Sequence, residues 1–419
     1  MRAVMICDRE AIGGAAVAAR RLADSMGRTG ADITLVAGYP DGQEHSWSTT
    51  VLMPLREEAA SMGIGRLSRR LNMRRLRSVV RRQLDGLLER IDPDVVNIHN
   101  LHGAGWGPEL VSLCARHAPT VWTLHDMWSF TGHCAYSYDC LNFITGCDSS
   151  CPAPGEYPAL ERNLIRDAWN LRRHLLAELT DMVAVSPSSW LAKQAEVGLW
   201  RGHRVEVIPY GLPLDVYVPL DRLLAQAALG IDSNAPALLV AARRIDIPRK
   251  GTAILIEALR KVRTRPLTLI ALGQGPVSVP IDGITVHSLG YVDHERTKVL
   301  AYNAADLLIH PALADNSPNV IIEAMGCGTP CVGFDIGGVA GIVRPGVTGW
   351  VAQDVTADAL ANAIEDALAA IKQGRDVRTS CRMAAEAQYA ADIQAQRYLE
   401  LFESVRAGRH GAQSQRLRQ

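Results

Sequence analysis

Two carboxylates lie close to the start of a predicted helix in the second half of the chain. Asp315 follows an apolar strand that ends near His310, and Glu323 lies about one turn into a helix predicted to begin at Val320. The first N–H groups of such a helix have no partner within it, and with the helix dipole they can bind an anion or a set of hydroxyl groups. Glu323 could instead cap the helix or form a local ion pair. The strand, polar loop, helix and next strand together predict a ligand site at the carboxyl end of a parallel sheet.

Two basic residues follow another predicted strand. Arg244 ends the apolar run PALLVAARR, and Lys250 with Gly251 opens the next helix. Two such cations at the carboxyl end of a strand could bind an anionic group such as a phosphate. The alternative is a pair of surface cations beside a turn.

The first half of the chain begins with a strand, the pair Gly13-Gly14 and a helix, which is a Rossmann-like opening. These glycines would let backbone N–H groups approach a ligand closely, although a tight turn needs them equally. Two later strands end in histidines, His99 and His125. His125 is the better candidate for a substrate contact, because Asp126 and a loop follow it at the end of its strand. We expect His99 to be a structural hydrogen-bonding residue.

The loop after His125 contains four cysteines, Cys134, Cys140, Cys147 and Cys151, with His133 adjacent. Four soft ligands could close a tetrahedral zinc site, which would be structural because no coordination position stays open. Two disulfides are a second alternative and buried free thiols a third. The spacings are wider than those of common zinc knuckles, so all three alternatives stay open.

Composition argues against some classes of partner. The 419 residues are 48% apolar and 21% charged with zero formal net charge, which gives no support for nucleic-acid binding. No run approaches the roughly 20 apolar residues of a membrane span. The first residues resemble a strand rather than a signal peptide, and nine cysteines argue for reduced thiols, so we expect a cytoplasmic protein. The arginine-rich helix predicted at 66–88 could add contact with the inner face of the membrane, or it could be a solvated surface helix.

Several segments carry a resemblance to one family. The stretch from His310 to Gly338 closely resembles the E-x7-E element of the retaining glycosyltransferases of family 4, the glycogen-synthase or group-1-like enzymes, with Asp315 in place of the first glutamate. The run VIPYGLPLD resembles that family's hinge. The run RRIDIPRKG resembles its basic element with one extra residue, so Arg243 or Arg249 could replace Arg244. The cysteine loop after HDMW, which ends in CP, is similar to that of a polysaccharide-biosynthesis subgroup.

The resemblance implies an α/β protein of GT-B architecture, with two Rossmann-like domains facing each other across a cleft. We assign 1–212 to the acceptor domain, with its cysteine-rich loop at 131–155, and 213–390 to the nucleotide-sugar domain. The segment 391–419 would hold a last helix that crosses back to the first domain, followed by a disordered tail.

The resemblance also implies which residues act. His125, Asp315, Arg244 and Lys250 would be catalytic, and Glu323 would bind the ribose hydroxyls. The donor would be held by residues of three glycine-rich or polar loops and of the helix that follows the third loop. These residues are Gly13, Gly14, Arg244, Lys250, Asn316, Ser317, Pro318, Asn319, Val320 and Glu323.

The implied reaction transfers a sugar from a UDP- or GDP-sugar to a hydroxyl acceptor with retained anomeric configuration. Catalysis would need no cofactor, although the cysteine loop could hold a structural zinc ion. Many relatives use lipid-linked acceptors, and a small-molecule acceptor fits equally. The alternatives are a nucleotide-sugar epimerase, which would convert its donor without an acceptor, a glycoside phosphorylase, and a non-catalytic binding protein of the same fold.

Overall fold

The computed structural model of the chain describes residues 1–10, 12–41, 45, 47–55, 66–231 and 235–416, and for 66–74 and 410–416 it describes the backbone only. The described chain forms two compact units. Unit 1 comprises Met1–Pro209 and Asp392–Gln419, and unit 2 comprises Tyr210–Ala391.

Unit 1 is built on a seven-stranded parallel sheet with the order β3-β2-β1-β4-β5-β6-β7. Its strands are β1 Arg2–Arg9, β2 Asp32–Tyr39, β3 Ser48–Val51, β4 Val95–Ile98, β5 Thr120–Thr123, β6 Val183–Ser186 and β7 Val205–Val207. The central strands are mostly apolar and are buried along almost their whole length, as expected for a parallel sheet covered on both faces. Alternate residues of β1 accordingly belong to two different cores, Val4 and Ile6 to one, Met5 and Cys7 to the other.

The helices of unit 1 cover both faces of this sheet. They are α1 Gly14–Arg28, α2 Arg66–Ile91, α3 Glu109–His117, α4 Asn142–Thr145, α5 Arg162–Glu178, α6 Ser189–Val197 and α14 Ala391–Arg416. Leu22 of α1 and Phe402 of α14 are fully buried in the core that contains Met5. The last helix of the chain therefore packs in unit 1, on the same core as the first helix.

Unit 2 has a six-stranded parallel sheet with the order β10-β9-β8-β11-β12-β13. Its strands are β8 Ala237–Arg244, β9 Leu267–Gln274, β10 Ile284–Gly290, β11 Leu307–His310, β12 Cys331–Phe334 and β13 Gly349–Ala352. Its helices are α7 Arg222–Ala228, α8 Thr252–Lys261, α9 Glu295–Ala304, α10 Asn319–Gly326, α11 Val339–Ile342, α12 Ala357–Lys372 and α13 Val377–Gln388. The predicted strand, polar loop and helix around Asp315 are confirmed, with α10 beginning at Asn319, one residue before the predicted start.

The helix predicted at 66–88 is confirmed as part of α2. In the part of α2 whose side chains the structure describes, Val80, Leu84 and Leu88 are buried in the core of unit 1, whereas Arg81 and Arg82 are exposed. Because the apolar face already packs on the protein, only the arginine face of this half is open to an anionic surface. Within the described chain, no helix combines the length and apolarity that crossing a membrane requires.

Candidate functional site

An ion pair joins two loops at the carboxyl ends of neighbouring strands in unit 2. Lys250 follows β8 and Asp315 follows β11, and the Lys250 Nζ lies 2.7 Å from Asp315 Oδ2. The backbones dock as well, since the Leu313 N–H donates to the Arg249 carbonyl. Gly251 makes this approach possible, because its φ is +70° and a Cβ there would lie 1.7 Å from the Pro311 carbonyl oxygen.

Three basic side chains surround Asp315. Besides Lys250, His310 Nε2 lies 3.5 Å and Arg249 3.8 Å from Asp315 Oδ2. Burial alone would raise the pKa of the Asp315 carboxyl, but Lys250, helped by His310 and Arg249, holds it well below its usual range. Burial lowers the pKa of Lys250, and Asp315 opposes that shift. The group therefore combines one carboxylate with a net positive charge, which suits a phosphate-bearing ligand.

Arg244 has different contacts from those predicted. Its guanidinium donates to Asp246 at 3.0 and 2.7 Å, and its side chain is half exposed. Arg249 instead donates to the Ala314 carbonyl and approaches Asp315. Of the two arginines, the structure thus brings Arg249 to the Lys250–Asp315 pair, which is one of the two replacements that the sequence left open.

Glu323 is a buried carboxylate with a defined partner. It lies in α10, only 5% exposed, and the Tyr302 hydroxyl donates to Glu323 Oε2 at 2.6 Å. Burial raises the pKa of Tyr302 well above its usual value, and the neighbouring Glu323 carboxylate adds to this rise, so the phenol stays a donor. Because the Tyr302 hydroxyl holds one carboxylate oxygen, the rotamer of Glu323 is fixed and its carboxylate is oriented to accept hydrogen bonds from hydroxyl groups.

The loop before α10 contributes polar groups that are already buried. Asn316 is 1% exposed, and its N–H donates to Asp315 Oδ1. Ser317 is 6% exposed, and its Oγ has no hydrogen-bond partner among the described residues. Pro318 caps the helix and Asn319 is its first residue, with Val320 next. A buried hydroxyl without a partner costs free energy, so it commonly marks a place where a water molecule or a ligand supplies one.

In unit 1 the two strand-end histidines form a pair. Strands β4 and β5 are neighbours, and His99 Nδ1 lies 2.8 Å from His125 Nε2 with both side chains buried. Burial lowers the pKa of His99 to about 3, and burial with the nearby His99 and His102 lowers that of His125 well below 6.5. Both rings are therefore neutral at pH 7, and one N–H is shared between them.

More polar residues lie near this pair. His102 Nε2 lies 3.5 Å from Asp126 Oδ2, and the Asp8 carboxylate accepts from the Gly103 N–H. A Cβ at Gly103 would lie 1.9 Å from Asp8 Oδ2, so any larger residue there would displace the Asp8 carboxylate. The carboxyl ends of β1, β4 and β5 thus carry a cluster of acids and imidazoles.

The predicted glycine pair lies at the start of α1. Gly13 caps that helix with φ +109° and ψ 156°, and Gly14 is its first residue. A Cβ at Gly13 would meet no atom within 4 Å, so the glycine is required by its backbone conformation rather than by crowding.

Sequence reasoning missed Tyr302, which lies at the end of α9 with no motif around it and which only the fold brings to Glu323. His99 is a structural hydrogen-bonding residue, as predicted, but its partner was not predicted. A usable signal for that partner existed, because residues that follow neighbouring parallel strands meet at one edge of a sheet. The pairing of His99 with His125 could have been inferred from the consecutive strands that end in NIH and TLH.

The structure also bears on metal ligands. The four cysteines considered as zinc ligands, Cys134, Cys140, Cys147 and Cys151, are free, partly exposed thiols. Within the described ranges, the one group of three possible ligand atoms that lie within 4.8 Å of one another belongs to Glu10, Asp41 and His45. There, His45 Nε2 lies 3.0 Å from Asp41 Oδ1 and 3.6 Å from Glu10 Oε1.

Two family models match the chain. The model described as Glycosyltransferase Family 4 matches residues 12–216, and the model described as Glycosyl transferases group 1 matches residues 235–370. Together they span most of both units.

Curated relatives match over part of their length. A D-inositol 3-phosphate glycosyltransferase from Gordonia bronchialis is 33% identical over 202 residues, which is 44% of this chain and 43% of the relative. A putative colanic acid biosynthesis glycosyl transferase, WcaC from Escherichia coli, is 26% identical over 249 residues, 57% of this chain and 59% of the relative. The chain thus spans about half the length of the curated relatives it matches.

Solved structures match almost the whole chain. Sucrose-phosphate synthase from Thermosynechococcus elongatus has a TM-score of 0.71 at 19% identity, covering 97% of this chain and 99% of that one. HepE from Anabaena in complex with UDP and glucose has a TM-score of 0.66 at 18% identity, covering 96% and 100%. At these identities the likeness concerns the fold alone, and it confirms the predicted α/β fold of GT-B type.

Proposed function

Because the chain belongs to the group 1 glycosyltransferase family, we propose that it transfers a sugar from a nucleotide-diphosphate sugar to a hydroxyl acceptor. The observation that carries this proposal is the set of groups around the start of α10. A buried carboxylate, Glu323, lies one turn into the helix, and the hydroxyl of Ser317, before the helix, has no partner in the described chain. The Lys250–Asp315 pair adds the cationic side that a diphosphate needs.

Each group has a proposed role. Glu323, oriented by Tyr302, accepts hydrogen bonds from the ribose hydroxyls. Lys250 and Arg249 bind the diphosphate, and Asn316, Ser317 and the first N–H groups of α10 bind phosphate or sugar oxygens. Asp315 keeps Lys250 in place and offers an oxygen to a sugar hydroxyl.

We further propose a retaining, metal-independent reaction. Lysine and arginine would stabilise the charge on the leaving diphosphate, so no Lewis acid is needed for that step. The leaving phosphate would then assist deprotonation of the acceptor on the same face. Arg244, which the family motif implies, could reach the phosphate only by exchanging its contacts with Asp246.

For unit 1, we propose that His125 contacts the substrate as a neutral imidazole. Its pairing with His99 fixes the orientation of the ring, and the lowered pKa keeps it uncharged at pH 7. It would orient or polarise a hydroxyl group, and no covalent step is assigned to it. The glycine pair Gly13-Gly14 would supply N–H groups at the start of α1.

The experiment is a turnover assay that separates the alternatives. The protein is incubated with UDP-, GDP-, ADP- and TDP-sugars and a panel of hydroxyl acceptors, and NMR follows free nucleoside diphosphate and the anomeric proton. Acceptor-dependent product with the donor's anomeric configuration supports the proposal, whereas an inverted product contradicts retention. A changed donor sugar without acceptor would indicate an epimerase, and binding without turnover would indicate a binding protein.

Donor and acceptor classes are narrower proposals. We propose a UDP-sugar first, because HepE, a structural neighbour, was solved with UDP and with UDP-glucose. A polysaccharide or lipid-linked acceptor is proposed from the likeness to a relative named for colanic acid biosynthesis.

Peripheral contact with anionic membranes would use the exposed arginines of α2. Vesicle co-sedimentation that depends on anionic lipid and weakens with salt would support it, and no sedimentation at low salt would exclude it.

A further inference from the structure

Two acidic residues follow neighbouring strands at the carboxyl edge of the unit 1 sheet. Glu10 comes directly after β1, and Asp41 comes shortly after β2. The two strands pair in parallel up to Arg9 and Tyr39, so the segments that follow them leave the sheet side by side. The Asp41 N–H donates to Glu10 Oε2 at 2.8 Å, which joins the two segments. Sheets of this kind bind their ligands at this edge.

His45 brings an imidazole nitrogen to both acids. Its Nε2 lies 3.0 and 3.1 Å from the two carboxylate oxygens of Asp41 and 3.6 Å from Glu10 Oε1. One possible ligand atom from each of the three residues lies within 4.8 Å of the other two. Ligand atoms bound about 2.0–2.2 Å from one metal ion lie roughly 3.0–3.6 Å apart in octahedral or tetrahedral geometry. The separations between the nitrogen and the oxygens therefore already match those around a shared ion.

The charge of the three side chains also fits a divalent cation. The side chains of Glu10, Asp41 and His45 are 1%, 11% and 10% exposed. Among the residues that the structure describes, His45 is the one basic group that lies within ion-pair distance of Glu10. Two neighbouring carboxylates with little exposure repel each other and are costly unless positive charge compensates them. An imidazolium ion compensates one of the two charges, whereas a divalent ion compensates both.

Further contacts hold two of the three side chains in place. The Thr49 hydroxyl of β3 donates to Glu10 Oε1 at 2.6 Å, and the His45 ring stacks on Trp47 with ring centroids 4.2 Å apart. Outer contacts of this kind orient the ligands of metal sites. Trp47 is 7% exposed, and its Nε1 has no hydrogen-bond partner within the described chain. A buried donor beside a ligand ring indicates that an acceptor, such as a water molecule on a bound ion, belongs there.

We propose that Glu10, Asp41 and His45 bind one divalent metal ion at the carboxyl edge of the unit 1 sheet. Without the ion, His45 Nε2 carries a proton, because its neighbours are carboxylate oxygens that accept. Binding forms one bond from the ion to Nε2 and one to each carboxylate, and the Nε2 proton moves to Nδ1 or to solvent. No oxidation state changes. One imidazole and two carboxylates suit ions such as Mn²⁺ and Zn²⁺, and three protein ligands leave a position open for water or a ligand oxygen.

The test uses Mn²⁺ and the full-length protein after treatment with a chelator. Oxygen ligands suit this ion and thiolates suit softer ones, so the free cysteines of unit 1 do not compete for it. Loss of the electron paramagnetic resonance signal of free Mn²⁺ measures binding. We expect a single Mn²⁺ per chain, and the pulsed spectrum of the bound ion should show coupling to a directly bound imidazole nitrogen.

Three variants test the assignment of the ligands. His45→Asn should lose the nitrogen coupling and most of the affinity. His117→Asn is the matched control and should bind as the wild type does, because His117 Nε2 pairs with Asp85 Oδ1 at 2.8 Å and the described chain places no third ligand there. Thr49→Val removes the donor to Glu10 and should weaken binding by roughly tenfold to a hundredfold, whereas Thr49→Ser keeps the hydroxyl and should bind normally. Melting temperatures measured without the ion verify that each variant is folded.

Two results would overturn the proposal. Absence of Mn²⁺ binding by the folded wild type at millimolar ion would leave His45 as an ion-pair partner of the two acids. Equal binding and equal nitrogen coupling in His45→Asn would place the ion elsewhere on the chain. The ion site belongs to unit 1, and no step of the proposed sugar transfer uses it, so the failure of either proposal leaves the other untouched.

Discussion

At the scale of single residues, the account rests on how buried polar groups are paired. Tyr302 and Glu323 form a hydrogen bond of 2.6 Å in which the acceptor is a carboxylate. Such charge-assisted bonds are worth more than neutral ones and fix the direction of the whole Glu323 carboxylate. Donor recognition should therefore depend on a tyrosine that need not touch the donor.

Tyr302→Phe is expected to weaken nucleoside diphosphate binding by roughly tenfold to a hundredfold, because a hydrogen bond to a charged group contributes about 1.5–3 kcal/mol. Isothermal titration calorimetry measures the affinity. Tyr398→Phe is the control, since the Tyr398 hydroxyl pairs with Thr123 in unit 1 and its loss should lower stability without changing affinity. Unchanged affinity in Tyr302→Phe would mean that Tyr302 does not orient Glu323 for donor binding.

Asp315→Asn is expected to lower stability at pH 7 by about 3 kcal/mol, because it leaves Lys250 without its counter-charge. In the wild type the folded-state pKa of Asp315 lies below its unfolded value of about 3.9. This carboxylate thus contributes stability above that value, and the contribution is lost as the pH falls through the folded pKa.

Thermal unfolding should accordingly be measured from neutral to strongly acid pH. The stability of the wild type should fall as the pH is lowered, and the fall should be smaller in Asp315→Asn. The matched control is Asp246→Asn, whose partner Arg244 is half exposed, and its loss of stability should be much smaller because exposed ion pairs contribute little. Equal losses in the two variants would contradict the assignment of Asp315 as the counter-charge of the partly buried Lys250.

At the scale of elements, the start of α10 and the loop after β8 form the candidate donor site. Two features suit it to a ligand more than to stability of the unit alone. One is the buried Ser317 hydroxyl, and the other is the close backbone approach at Gly251.

Ser317→Ala is expected to leave the stability of the ligand-free protein unchanged or slightly raised, because it removes a buried hydroxyl without a partner in the described chain. Nucleoside diphosphate affinity should fall by several-fold to tenfold, the worth of about one hydrogen bond. Melting temperature and calorimetric affinity report the two effects. Ser186→Ala, whose hydroxyl donates to the Ser188 carbonyl, should show the reverse pattern. A loss of stability in Ser317→Ala without a loss of affinity would make this serine structural.

Gly251→Ala is expected to destabilise unit 2 and to weaken diphosphate binding, because a Cβ would lie 1.7 Å from the Pro311 carbonyl oxygen and displace the loop of Lys250. Gly230→Ala is the control, with a φ of +67° and no atom within 4 Å of its Cβ, and should cost about 1 kcal/mol from backbone strain alone. Thermal unfolding and calorimetry compare the two variants. Equal losses of stability and affinity in the two variants would show that the close backbone approach at Gly251 does not contribute to diphosphate binding.

At the scale of the whole molecule, the sequence predicted the elements better than the contacts. The strands and the helices after them follow from apolar runs and glycine or polar turns, as at β11 and α10. What a pattern does not contain is which side chains converge. Arg244 and Arg249 are equivalent as residue types, and only the folded loop directs Arg249 to Asp315 and Arg244 to Asp246.

Distant partners were beyond sequence reasoning for the same reason. Tyr302 and Glu323 belong to different helices and meet only through packing, which no local periodicity encodes. The pairing of His99 with His125 lies between these cases, since the order of parallel strands brings both strand ends to one edge.

The central claim is that unit 2 binds a nucleoside diphosphate through Glu323. The direct measurement is a thermal-shift titration of the wild type and Glu323→Ala with UDP, GDP, ADP and TDP, since a ligand that binds only the folded state raises the melting temperature. The account predicts that one nucleotide raises the melting temperature of the wild type and that Glu323→Ala loses most of this shift while remaining folded. No shift with any nucleotide at millimolar concentration, or an equal shift in both proteins, would contradict it.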